Sequence, residues 1–134
     1  MKEILFIISI LLVGCSQSEK PILYMMGDST MADKPDLTYP ERGWGQLLPQ
    51  FFDSTEIQIE NHAKNGRSTR SFIYEGRWDS LCTKLKPGDF LVIQFGHNDE
   101  VETKTTRYAT PDEFRYNLKK FVREAQNKGV KPIL

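Results

Sequence analysis

Cysteine and histidine are scarce in this chain of 134 residues, which holds two of each. Cys15 and Cys82 stand far apart, and His62 and His97 lack the spacing of metal ligands, so no metal centre is expected. No phosphate-binding glycine fingerprint follows a strand-like run, so no nucleotide cofactor is expected either. Charge of one sign is also missing, since 18 basic residues meet 18 acidic ones without a basic block or tail. That balance excludes the electrostatic footprint of a nucleic-acid partner. With no repeat or low-complexity stretch, and 39% apolar residues, the composition is that of one globular domain whose function must come from a site.

The longest apolar run lies at the start, from Ile4 to Gly14 behind Lys2, and ends at Cys15. It is short for a bilayer-spanning helix, which needs about twenty residues, and reads as an export signal. Leu12-Val13-Gly14-Cys15 resembles the lipobox of bacterial lipoproteins, in which the cysteine is diacylated and becomes the new N-terminus. Residues 1–20 are then a lipoprotein-type signal and tether, Ser16 to Lys20 being the tether. The expected location is the bacterial cell envelope, with membrane contact only through the lipid. An ordinary signal cleaved nearby is the alternative, because Glu3 beside Lys2 leaves the leading segment poorly basic. Either way Cys82 is the one thiol of the mature domain, placed in an apolar pattern and expected in the core.

From residue 21 onward, apolar runs alternate with helical patterns, the signature of βα units around a parallel sheet. Ile22 to Met26 is the first expected strand, Ile57 to Asn61 the second, and the apolar run Phe90 to Phe95 the third. Gly43 to Phe52 reads as a short helix interrupted by Pro49, and Ser68 to Leu85 as a helix troubled by Gly76. The clearest helix follows Thr110 as N-cap, with Pro111 in its first turn and Lys128-Gly129 at its close. Val130 to Leu134 reads as the opening of a fourth strand, which suggests the N-terminal part of a larger domain.

Chemistry collects behind the first three strands. Gly27-Asp28-Ser29-Thr30 is ordinary turn and capping material, yet it also sits where an α/β protein presents a serine hydroxyl to a crevice. Behind the second strand, Gly66 in Asn65-Gly66-Arg67-Ser68 lets the backbone approach a ligand with its N–H exposed. Gly96-His97-Asn98-Asp99 follows the third, and Asn98 offers a neutral amide donor suited to a developing oxyanion. Ester hydrolysis needs a nucleophile, a base and such donors, and parallel strands open their C-terminal ends onto one edge. Asp28 and Asp99 read as loop-organising acceptors, and His62 as a strand-end residue bonded to backbone. Arg42, Arg67, Arg70 and Arg77 are structural or solvated, or face an anionic polysaccharide.

These three blocks, in order and spacing, resemble those of the SGNH hydrolase (GDSL esterase) superfamily. Gly27 to Asp33, Arg42 to Gln46, Asn65 to Phe72, Glu75 to Trp78 and Gln94 to Asp99 look like its rhamnogalacturonan acetylesterase branch. The resemblance implies a flavodoxin-like three-layer α/β/α sandwich with a parallel sheet, of which residues 21–134 would be the N-terminal part. It implies Ser29 as nucleophile, with the N–H groups of Ser29 and Gly66 and the side chain of Asn98 as oxyanion hole. The family's base and its orienting acid come from an Asp-x-x-His block, and this sequence contains none. His97 falls at a variable position, as a residue that tunes its loop. The expected activity is release of acetyl groups from pectin-type polysaccharide, with little turnover by the present chain alone. A lipase or aryl esterase on the same machinery, and a non-catalytic glycan-binding surface lipoprotein, are the other two readings.

Overall fold

The computed structural model describes residues 19–134 apart from positions 37 and 39, so the signal-like run and Cys15 lie outside the described residues. Four strands form one parallel sheet in the order β2-β1-β3-β4. They are β1 (Ile22–Gly27), β2 (Gln58–Asn61), β3 (Phe90–Gln94) and β4 (Lys131–Ile133). The flavodoxin-like arrangement begins with this same order. Strand β1 sits between β2 and β3, with Met25 opposite Asn61 on one side and Val92 on the other. Its continuous apolar character follows from that place, because both of its faces are covered.

On one face, Tyr24, Met26, Leu91 and Ile93 pack with Phe72, Trp78, Leu81 and Phe121. These partners belong to α2 (Thr69–Tyr74), α3 (Arg77–Lys84) and α4 (Pro111–Asn127). Trp78 and Phe121 meet at a centroid distance of 4.9 Å and are both fully buried. Each such side chain contributes roughly 1.5–3 kcal/mol by leaving water. Cys82 packs half-buried against this core, and burial pushes its thiol up. The opposite face is thinner: Leu23 and Met25 are covered by Met31, with Leu48 and Ile59 at the margin. Leu48 comes from the short segment of α1 (Trp44–Leu47) followed by a single 3₁₀ turn over Leu48–Phe51.

Two expected helices are cut differently from the sequence reading. Gly76 takes φ +68° and splits the segment after Ser68 into α2 and α3, a left-handed turn that an L side chain would resist. Pro49 lies in the first turn of the 3₁₀ segment, so α1 ends before it. By contrast Thr110 caps α4 as expected, its hydroxyl accepting from Glu113 N at 3.2 Å. Asp89 ties the sheet to the turn ahead of β3, with Oδ1 accepting from Ile22 N at 2.8 Å and Oδ2 from Lys86 N at 2.9 Å.

Candidate active site

Parallel pairing of β1, β2 and β3 delivers the three glycine-containing loops to one edge, and hydrogen bonds then knit them together. The first loop is closed from within. The fully buried Asp28 accepts from Thr30 N and Thr30 Oγ1 at 2.9 Å, while its carbonyl accepts from Ala32 N at 3.0 Å. Gln94 at the end of β3 donates from Nε2 to Asp28 Oδ2 at 3.3 Å. Asp28 therefore shapes the turn, as read from the sequence. Ser29 rides on that turn half-buried, and its hydroxyl has no hydrogen-bond partner among the described residues.

Lys34 links this loop to the next. Its buried ammonium donates to Ser29 O at 2.6 Å and to Asn65 Oδ1 at 3.1 Å, and pairs with Glu41 at 3.0 Å. In the second loop Gly66 adopts φ +75°, the left-handed region that favours glycine. Neither Ser29 N–H nor Gly66 N–H finds an acceptor among the described residues. Ser68 then caps α2 with a reciprocal box, Ser71 N donating to Ser68 Oγ at 3.1 Å and Ser68 N to Ser71 Oγ at 2.8 Å.

The third loop leans on the second. Asn98, 5% exposed, donates from Nδ2 to Arg67 O at 2.9 Å. An amide nitrogen carries two hydrogens, so this bond aims the group while leaving one N–H to give. Asp99 accepts at Oδ1 from Thr69 N at 2.9 Å and from the Thr69 hydroxyl, and Asn117 Nδ2 donates to that hydroxyl oxygen at 3.0 Å. Burial pushes the Asp99 carboxyl above its ordinary range, outweighing the Thr69 bonds. Serine, glycine and asparagine thus stand on loops joined at each junction by a named bond.

Neither histidine completes a proton relay in the described residues. His62 N donates to Met25 O at 2.7 Å, a backbone bond as expected at the strand end, and its Nε2 lies 3.1 Å from Glu60 Oε2, because residues two apart along an extended chain share a face. Burial raises the Glu60 carboxyl, but the His62 bond and Lys84 outweigh it and hold it below the usual range. His97 is exposed and comes no nearer an acid than 3.9 Å, at Glu100. The arginines are internally engaged: Arg67 and Arg77 both bond Glu75, Arg70 reaches Tyr108 O at 3.0 Å, and Arg42 donates to Glu41 O at 2.8 Å.

Lys34 and Gln94 escaped the sequence reading, since a turn lysine and a strand-end glutamine carry no pattern that says what they touch. Gly43 and Gly45 had a signal, being two glycines around an aromatic. A Cβ on Gly43 would come 2.0 Å from Ala32 O, and one on Gly45 2.6 Å from Met31 O, so this stretch braces the serine turn from behind. Trp44 N donates to Thr30 O at 2.9 Å in the same contact.

Rhamnogalacturonan acetylesterase RhgT of Bacillus subtilis (strain 168) is 42% identical over 116 residues, covering 86% of this chain and 48% of that protein. The uncharacterized lipoprotein YqeF of the same strain is 30% identical over 135 residues, 98% of this chain and 54% of that protein. The crystal structure of protein YxiM from Bacillus subtilis superposes with a TM-score of 0.78 at 30% identity, over 86% of this chain and 32% of that one. The chain thus spans about half the length of these two curated relatives. Since residues 25–134 also match the family's own pattern, the chain belongs to the GDSL-like lipase/acylhydrolase family.

Proposed function

We propose that the protein is a carbohydrate esterase that removes acetyl groups from rhamnogalacturonan-type pectin through a serine acyl-enzyme. The observation that carries this reading is the knitted edge, where the Ser29 hydroxyl and the N–H groups of Ser29 and Gly66, all without a partner among the described residues, meet the aimed amide of Asn98. The likeness to RhgT supports the substrate class. Ser29 Oγ attacks the acetyl carbonyl carbon and its proton passes to a base. Charge developing on the carbonyl oxygen is met by Ser29 N–H, Gly66 N–H and the second hydrogen of Asn98 Nδ2. The sugar hydroxyl then leaves with a proton, and water releases acetate from Ser29 by the same route in reverse. The family resemblance assigns the base to the histidine of an Asp-x-x-His pair, a role for which the Glu60-bound His62 and the exposed His97 are not placed.

Replacing Ser29 by Ala in the product of the complete reading frame tests the reading, with acetate release from acetylated rhamnogalacturonan as the measurement. Loss on the order of a millionfold is expected, the scale seen when a serine nucleophile is deleted elsewhere. Retained release sinks the assignment. We further propose that the protein is exported and anchored through a lipid on Cys15, a reading supported by the apolar run ending there and by the likeness to a lipoprotein.

A further inference from the structure

A cavity of about 440 Å³ shares Gly66 with the proposed oxyanion site, and Arg67, Glu75, Lys104 and Arg107 line it as well. Its charges do not cancel. Glu75 is fully engaged, both oxygens accepting from Arg67 Nε at 3.1 Å and one from Arg77 Nε at 2.5 Å. Lys104 and Arg107 have no acidic partner among the described residues. The Arg107 Nε is closed off from solvent and has no acceptor among the described residues, so the guanidinium's charge is not offset from within the fold. Arg107 Nη1 lies 3.4 Å from where a Cβ on Gly66 would stand, so the guanidinium rests against that stretch of backbone. Guanidinium is the side chain best matched to a carboxylate, through two parallel N–H donors.

We propose that this cavity is a carboxylate subsite that takes a uronate of the polysaccharide chain, with Arg107 as its principal ligand and Lys104 as supporting charge. The inference rests on the polysaccharide esterase reading and deepens it. An acetyl ester is neutral and gives this cationic wall nothing to bind, whereas the galacturonate of rhamnogalacturonan supplies an anion. Released acetate is the other source of a carboxylate, and the test separates the two.

Binding is measured by calorimetry on the Ser29→Ala form of the complete reading-frame product, which holds substrate without turnover. The probes are rhamnogalacturonan oligosaccharides in the acid form, the same oligosaccharides with their uronates reduced to neutral sugars, and sodium acetate. The acid form is expected to bind about tenfold more tightly than the reduced form, the factor that one good charged contact supplies. Arg107→Gln is expected to bring that ratio near one, and Arg107→Lys to keep part of it. Equal affinity for the two oligosaccharides, a preference that survives Arg107→Gln, or acetate competing as well as the acid oligosaccharide each overturns the subsite. Should Arg107→Gln not fold, by circular dichroism, the parent's preference and Arg107→Lys decide. Absence of acetate release by the unsubstituted protein counts against the esterase reading alone, because the binding ratio does not depend on turnover.

Discussion

Asp99 shows how much one side chain settles at this edge. Its Oδ1 holds the start of α2 through Thr69, while Oδ2 is buried without a partner among the described residues. Burial raises its native pKa above the unfolded value, so the native state holds the proton more tightly. That contribution to stability is full below the unfolded carboxylate pKa and is lost as pH rises through the native one. Asp99→Asn retains an acceptor at Oδ1 and cannot ionise. Relative to the parent, the variant is therefore expected to gain in urea midpoint between about pH 4 and about pH 8, the range that brackets carboxylate titration. An unchanged gap between the two proteins at both pH values shows an unperturbed acid. Asp28 and Asp99 were legible as loop-organising acceptors, because short acids beside glycine and serine bond locally. Glu60 was not read as a partner of His62, although it stands two positions before it and period two puts both on one face. Arg107 and Lys34 were not legible: a long basic side chain in a loop is most often solvated, and only the folded chain shows what it meets.

At the scale of elements, the sequence marked the ends of α4 well because Thr110, Pro111 and the following acids act within one turn. Gly76 marked a break within a helical pattern, though whether it kinks or ends a helix depends on the φ it is forced to take. The stretch at Gly43 and Gly45 has a different logic. Those residues lack side chains so that α1 can lie against the Met31–Ala32 backbone and hold the serine turn. Gly45→Ala is expected to destabilise the protein by about 1–3 kcal/mol, as overpacking does, and to lower acetate release by displacing Ser29. Denaturant unfolding and turnover read the two effects; loss of neither means that α1 gives way freely.

At the scale of the whole molecule, a parallel sheet turns a linear order of motifs into a spatial cluster. Blocks beginning at residues 27, 65 and 94 meet because β2 and β3 flank β1 on opposite sides. The lipid anchor proposed at Cys15 is a property of this scale as well. Radioactive palmitate is expected to label the protein in a bacterial host and Cys15→Ser to abolish the label, with membrane-pelleted protein becoming soluble. Labelling that survives the substitution excludes that anchor.

Local rules in the sequence were enough for the parallel βα character, the cap at Thr110, the glycine at position 66 and the three donor-bearing loops, because each depends on neighbours a few residues away. Strand order, the bonding of Lys34 across two loops, the engagement of the arginines with Glu75 and the unanswered charge of Arg107 were decided by tertiary structure alone. Those features join residues separated by tens of positions, and no local propensity encodes which distant partner a side chain will reach.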